Sequence, residues 1–165
     1  MGILRMVESE QLPQQGTAWR TPRGCMGLWV PGPSLLVASF VGYGEAGFVA
    51  PILTAYRGLA HAGHLHLFFD AESLSNYDSA IRTELTAAFF PDRSRIGSLH
   101  VLVKSRLVGM GVSVANLALG GIVSSSTERA SFKSKLEACL FENHVAGFSS
   151  RVLDALQPLA VEASG

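Results

Sequence analysis

The stretch His64–Ser79, HLHLFFDAESLSNYDS, constrains the fold more than any other part of the chain. Its first half predicts a short strand over Leu65–Phe69, with large apolar side chains on both faces. Such a strand is typical of the middle of a sheet that helices cover on each side. The polar segment Asp70–Asn76 then predicts a loop. This loop leads to a helix whose first turn holds Asp78 and Ser79.

Short apolar runs on either side predict the rest of the sheet. The predicted strands are Met26–Val30, Leu35–Val41, Leu65–Phe69, Leu99–Val103 and Ile122–Ser124. Apolar residues spaced by three and four positions predict helices between and after them. Strands separated by ten or more helical residues favour parallel pairing. The sequence therefore predicts an α/β fold with a mixed, mostly parallel sheet of about four to five strands, in the order β-β-α-β-α-β-α-β-α.

The 165 residues are enough for one domain with a sizeable core. Residues 1–24, rich in Gln, Glu and Pro, predict a loosely ordered N-terminal arm in which Trp19 begins a short edge strand. The α/β domain is expected over residues 25–145. Residues 146–165 are expected to form a short C-terminal helix and a tail.

Opposite charges balance in this chain, with 13 Lys and Arg against 13 Asp and Glu. Without a basic field, it is not expected to bind nucleic acid or an anionic membrane surface. Residues 1–24 do not have the pattern of a signal peptide, so Cys25 and Cys139 are expected to be buried, reduced thiols of a cytoplasmic protein. The uncharged window Leu107–Ser126 is long enough to cross a membrane. Its glycines, serines and Asn116 instead favour a buried helix followed by a buried strand.

A glycine-rich segment follows the strand predicted over Leu35–Val41. It matches G-x-G-x-x-G through Gly42, Gly44 and Gly47. Together with Asp70 at the end of the next strand, this is the context of a dinucleotide-binding turn. The segment Gly42–Gly47 is therefore a candidate small-ligand site.

Two features of the same segment favour an ordinary strand-to-helix turn. A nucleotide-binding helix would begin at Gly44 and would place Pro51 in its interior, where proline breaks helices. Glu45 would also bring a negative charge to the place of a pyrophosphate. A helix that begins near Phe48 places Pro51 in its first turn, where no amide bond is lost.

Two other polar clusters are weaker candidates for a metal site or a catalytic site. His61, His64 and His66 form H-x-x-H-x-H, but no Cys or carboxylate near them completes a tetrahedral metal site. Asp70 and Glu72 resemble the D-x-D start of phosphoryl-transfer hydrolases, without a convincing later Lys or acidic pair. The sequence therefore predicts no metal, no cofactor and no catalytic residues.

Asp78 and Ser79 are the strongest candidates for a functional pair. They lie in the first turn of a predicted helix, capped by Ser75 and Asp78 in an S-x-x-D pattern. Unused amides and the positive end of the helix dipole favour an anion there. A phosphate on Ser79 would add roughly two negative charges beside Asp78, enough to disrupt a partner surface. An ordinary first-turn serine is the alternative interpretation.

In its order of elements and in several motifs, the chain resembles a STAS domain, the fold of the bacterial anti-sigma-factor antagonists (SpoIIAA-like proteins). The resemblance covers residues 26–141 in element order. It is carried by the strand His64–Asp70, HLHLFFD, followed by Asp78-Ser79, and by the ending IVSSSTERASFKSKLEACL. In the family such a strand leads to a D-S-S-G-L helix start whose first Ser is phosphorylated by a partner kinase. Here Ala80-Ile81-Arg82 replaces S-G-L.

The resemblance implies a non-enzymatic regulatory module that binds a protein partner, such as an anti-sigma-type serine kinase. Partner binding would involve Ser79 and Asp78, together with Asp70 and, in the loop after the second strand, Tyr43. Phosphorylation of Ser79 would weaken it. The alternative is a small-ligand protein, for a nucleotide or a lipophilic molecule, that uses the Gly42–Gly47 turn.

The helix predicted over Leu107–Leu119 suggests self-association. One helical face is formed by Leu107, Met110, Val114 and Leu117, and Val108 and Val112 add apolar surface elsewhere on the helix. Such a helix is buried on more than one side, either in the core or against a partner. A homodimer through this helix is therefore a third hypothesis.

Overall fold

The computed structural model describes residues 8–59 and 63–156, which form one mixed sheet with helices on both faces. Among these residues the sheet has seven strands, and there are four α-helices. The strands are β1 (Glu8–Leu12), β2 (Gly16–Arg20), β3 (Gly24–Gly32), β4 (Leu35–Gly44), β5 (Leu65–Tyr77), β6 (Ile96–Val103) and β7 (Val123–Ser126). The α-helices are α1 (Val49–Arg57), α2 (Ser79–Phe89), α3 (Arg106–Ala118) and α4 (Arg129–Glu142).

The strands lie in the sheet in the same order as in the chain. Strands β1 to β4 pair antiparallel, and β4 to β7 pair parallel. The predicted α/β class with a mixed sheet is therefore confirmed. The predicted count of about four to five strands is wrong, and within the described residues the sheet is no more parallel than antiparallel.

The missing strands belong to the N-terminal segment. Residues 8–24 are not a loose arm, because β1 and β2 form a hairpin that extends the sheet. Their polar sequence does not predict strands, because most side chains of β1 are exposed to solvent at the edge of the sheet. Trp19 lies in β2, which is paired on both sides and is not the edge strand. The indole N–H of Trp29 donates to the carbonyl of Pro13 at 3.1 Å and ties the hairpin turn to the core.

Each face of the sheet carries its own core. Helices α1, α2 and α3 cover the first face, over an apolar cluster that includes Leu65, Leu67 and Phe69. Helix α4 and a short 3-10 helix (Ser150–Leu156) cover the second face, around Phe68 and Phe132. β5 is thus apolar on both faces, as its sequence predicted. Three consecutive parallel crossovers in one direction along the sheet place their helices on one face.

Both cysteines lie in the second core, where Cys25 and Cys139 are buried free thiols, as predicted. Burial raises the pKa of both, that of Cys139 to about 11. In the C-terminal segment, the 3-10 helix buries Val152 and Leu156 against this core. The predicted tail falls on residues 157–165, outside the described residues.

β5 is longer than its sequence predicted. The polar segment Asp70–Asn76 is not a loop but continues the strand, paired with the end of β4 across two irregular steps. The predicted cap by Ser75 is also wrong, because its hydroxyl donates to the carbonyl of Gly42 at 3.0 Å. The extended β4–β5 pair projects beyond the central sheet, which is why polar side chains are tolerated there. Its length brings Asp78 beside the turn that follows β4.

Helix α3 packs on the core through one of its two apolar sides. Val108 and Gly111 face the core, while the residues of the predicted helical face are exposed: Leu107, Met110, Val114 and Leu117. Because α3 is apolar on both sides, its periodicity alone could not decide between them. Within the described residues, no helix combines the length and apolar character needed to cross a membrane.

Candidate functional site

Three of the predicted site residues meet at the N-terminus of α2. Asp78 occupies the N-cap position, but its carboxylate does not cap its own helix. One oxygen accepts a hydrogen bond from the hydroxyl of Tyr43 at 2.7 Å, and the other accepts from the amide of Ala46 at 2.8 Å. Ser79 follows as the first helical residue and is exposed. The helix start is thus held against the turn after β4 and presents the Ser79 hydroxyl to solvent.

Hydrogen bonds and an ion pair hold the charged side chains around this helix start in place. The hydrogen bond from Tyr43, assisted by the Ala46 amide, holds the pKa of Asp78 below its ordinary value. The same bond raises the pKa of Tyr43. The Arg23 guanidinium lies over the Tyr43 ring, 3.9 Å from its centroid, and pairs with Glu45 at 2.9 Å. Asp78 is therefore an anion at neutral pH that cannot easily turn away from a charge added to Ser79.

Asp70 does not join this group. It is buried under α4 on the second face of the sheet, where Arg129 donates to its carboxylate at 2.9 Å and Ser39 donates at 3.4 Å. Burial raises the pKa of Asp70, although the neighbouring Arg129 cation opposes the shift. Arg129 also bonds Asp154 at 2.8 Å. This geometry is that of a structural ion pair that fastens α4 and the 3-10 helix to the sheet.

The glycine segment has a structural explanation. Gly42 and Gly44 belong to β4, Gly47 lies in a 3-10 turn, and α1 begins only at Val49. Gly42 has a φ of +80°, and a side chain there would meet a backbone carbonyl at 2.6 Å. The nearby amide of Ala46 is already bonded to Asp78. The Ala46 amide is therefore not free, and no α-helix begins within the segment, in contrast to a dinucleotide-binding turn.

Of the three histidines in the predicted cluster, the structure describes His64 and His66. His66 Nδ1 lies 3.0 Å from the hydroxyl of Ser98, while His61 falls outside the described residues. Burial lowers the pKa of His66. Within the described part of the chain, no group of three or more His, Cys, Asp or Glu side chains is arranged to hold a metal ion.

An apolar cavity of about 120 Å³, which the sequence did not predict, lies between α2, α3 and the first face of the sheet. Its walls come from β4 to β7 and both helices, and almost all of them are apolar. Gly111 and Ala115 line the cavity from α3, and the Tyr77 side chain occupies the space next to Gly111. No local motif marks such a cavity, because its lining is collected from six elements that are far apart in the sequence.

Arg82 is the cationic residue in the wall of this cavity. It lies in the second turn of α2 and is half-buried. Among the described residues it forms no hydrogen bond or ion pair, whereas Arg20, Arg23 and Arg129 are all engaged. The site thus combines an apolar interior with an uncommitted guanidinium, an arrangement suited to a ligand with an apolar body and an anionic head.

A second concavity, of about 630 Å³, lies between the β1–β2 turn, α1 and residues 146–148. It is larger and about as open to solvent as the apolar cavity, and its wall mixes amide and apolar groups. Gln14, one of its lining residues, accepts a hydrogen bond from the Ser149 amide at 2.8 Å. Among the described residues, no charged side chain lines it, so it offers less chemical selectivity than the cavity beside Arg82.

Comparison with known proteins adds little beyond the architecture. Neither a family model nor a curated protein matches the chain. A solved structure that it resembles is an uncharacterized protein from the DUF3478 family, with a SpoIIAA-like fold, from Shewanella loihica PV-4. The two share 11% sequence identity with a TM-score of 0.46, over 79% of this chain and 92% of the other. At this level, the likeness does not place the two proteins in one family.

Proposed function

We propose that this protein is a non-enzymatic binding protein that takes a small apolar ligand with an anionic head group into the cavity between α2 and α3. The single observation that carries the proposal is the apolar cavity of about 120 Å³ with Arg82 in its wall. This develops the ligand-binding alternative from the sequence but moves the site away from Gly42–Gly47.

The volume fits a modest apolar group. An engineered cavity of about 150 Å³ with similar walls stays dry and binds benzene. A short alkyl chain or one ring matches this space. Because the cavity is open on one side, the rest of a longer chain, such as that of octanoate, extends out of it.

Arg82 supplies the selectivity. A guanidinium binds a carboxylate or phosphate through paired, charge-assisted hydrogen bonds, which are stronger at the edge of an apolar site than in water. An anionic head at Arg82 leaves the apolar body pointing toward Ala115 and Gly111. Fatty acids and aromatic carboxylates have this form.

The test is calorimetric titration with octanoate and with octanol. We expect octanoate to bind more tightly than octanol, and Arg82→Gln to weaken octanoate about tenfold while leaving octanol unchanged. Ala115→Leu fills the cavity and should abolish the binding of both ligands while raising the melting temperature. If Ala115→Leu binds octanoate as the wild type does, the ligand lies elsewhere and the proposal fails.

A second function is favoured by the helix start at Ser79. We propose that a protein partner, such as a serine kinase of the anti-sigma type, binds this surface and is released when Ser79 is phosphorylated. Exposure of the Ser79 hydroxyl beside the fixed carboxylate of Asp78 supports this switch. A phosphate there would lie next to an anion that two hydrogen bonds hold in place, so the surface would become strongly negative.

Affinity capture from the source cells tests the switch, with the bait carrying Ser79→Ala or Ser79→Asp. Thr83→Asp is the matched control, since it adds the same charge to an exposed position one turn further along α2. We expect one partner to be retained by Ser79→Ala and Thr83→Asp and lost from Ser79→Asp. Equal recovery on all three baits would remove the switch.

A further inference from the structure

The outer side of α3 carries a continuous apolar stripe. Leu107, Met110, Val114 and Leu117 are 52%, 67%, 51% and 83% exposed, and these four residues are called the outer stripe. Single exposed apolar residues are ordinary, but a contiguous row on one helix marks a binding surface. The core does not need them, because α3 packs inward through its opposite side.

The spacing of the outer stripe points to a helix as its partner. The steps of three, four and three residues are those of the a and d positions in a coiled coil. They are also symmetric about position 112, so that reversing the helix exchanges 107 with 117 and 110 with 114. We propose that α3 is a self-association surface, on which a second copy of this chain packs its own α3 antiparallel to form a two-fold dimer.

The flanking residues favour this antiparallel arrangement. Ser113 and Ala118 border the stripe and are exposed, and their small size lets two helices approach closely. Arg106 is the charged residue of α3. In an antiparallel pair it lies beside the C-terminal end of the opposite helix, where a cation is favoured. A parallel pair would bring the two Arg106 side chains together.

The available area suits a reversible dimer. Burial of both outer stripes removes on the order of 900 Å² from water, and their borders add to it, which reaches the low end of specific protein–protein interfaces. A membrane is a less suitable partner for this surface. Arg106 gives it one cation, and the whole chain carries no net charge.

Sedimentation velocity over a concentration series tests the dimer. We expect the wild type to pass from monomer to dimer, and Leu117→Glu to raise the dimer dissociation constant by at least about 50-fold, since it places two charges in an apolar contact. Phe141→Glu is the matched control, because Phe141 is 84% exposed on α4, on the other side of the sheet. A wild type that stays monomeric throughout, or equal effects of the two variants, would overturn the proposal.

Crosslinking tests the direction of pairing. Met110→Cys and Val114→Cys chains, mixed and treated with a short thiol crosslinker, should yield more of the mixed dimer than either chain yields alone. Dominant linkage within each separate variant means a parallel contact and overturns the antiparallel dimer. Binding of wild-type protein to phosphatidylglycerol vesicles that Leu117→Glu abolishes, without a dimer in solution, assigns the stripe to a membrane and also overturns the proposal.

Discussion

Asp78 illustrates at the scale of one residue how a predicted helix cap can serve another part of the chain. Its position and backbone are those of an N-cap, yet its carboxylate bonds Tyr43 and Ala46 from the turn after β4. The sequence could place Asp78 and Ser79 at a helix start, because that is a local pattern. It could not show that Tyr43 lies beside them, since 35 residues separate Tyr43 from Asp78.

Asp78 should make the protein less stable in acid. Its pKa is lowered in the folded state, so the folded protein binds fewer protons there than the unfolded chain does. Its contribution is present above the unfolded pKa, near 3.8, and is lost as the pH falls through the lower folded value. Urea unfolding at pH 6 and pH 3 should show Asp78→Asn costing about 1 kcal/mol at the higher pH and less at the lower.

The control for that experiment is Glu84→Gln. It removes an exposed carboxylate from the same helix without touching the Tyr43 contact. We expect it to keep the wild-type loss of stability between pH 6 and pH 3. If Asp78→Asn keeps it as well, the carboxylate does not hold the helix start.

Arg129 should contribute more to the free energy of unfolding than its partly exposed position suggests. Arg129→Met leaves the buried carboxylate of Asp70 without its cation, which costs about 3 kcal/mol of unfolding free energy. Lys133→Met is the matched control, since Lys133 bonds Asp154 at 2.6 Å but does not bond Asp70. It should cost under about 1 kcal/mol. Similar losses in urea unfolding would contradict a structural role for the Asp70 pair.

At the scale of elements, α3 shows why periodicity can identify a helix without showing which of its faces packs on the core. Both faces are apolar, and the outer one has the larger side chains. The face with the smaller side chains packs on the core, because Gly111 lets α3 approach Tyr77 closely. A side chain at position 111 would collide with the Tyr77 hydroxyl. β5 is the opposite case, where a polar sequence extends a strand because its pairing with β4 is made by the backbone.

The two glycines of α3 should respond oppositely to alanine. Gly111→Ala collides with Tyr77 and should cost about 1–3 kcal/mol. Gly109→Ala meets Val103 at 4.0 Å, an ordinary contact, and should stabilise the helix by about 0.5–1 kcal/mol. Thermal unfolding of both variants checks this. Stabilisation by Gly111→Ala would show that α3 does not pack against Tyr77 as described.

For the whole molecule, the α/β class and the middle of the sheet could be predicted because each buried strand is a short apolar run. The β1–β2 hairpin could not be predicted in this way, since strands at the edge of a sheet need little apolar surface. The predicted Ser79 and Tyr43 meet at one end of α2, while Asp70 lies apart in the second core. The cavity escaped prediction because the sequence does not show how far apart two packed helices lie.

The most direct test of the proposed function follows the methyl groups of the protein by NMR during titration with octanoate. We expect saturable shifts, and contacts to the ligand, for Ile81, Leu85 and Val112 in the cavity wall, with Leu136 in the opposite core unchanged. Contacts confined to residues outside this wall, or the absence of any saturable shift, would contradict a ligand site between α2 and α3.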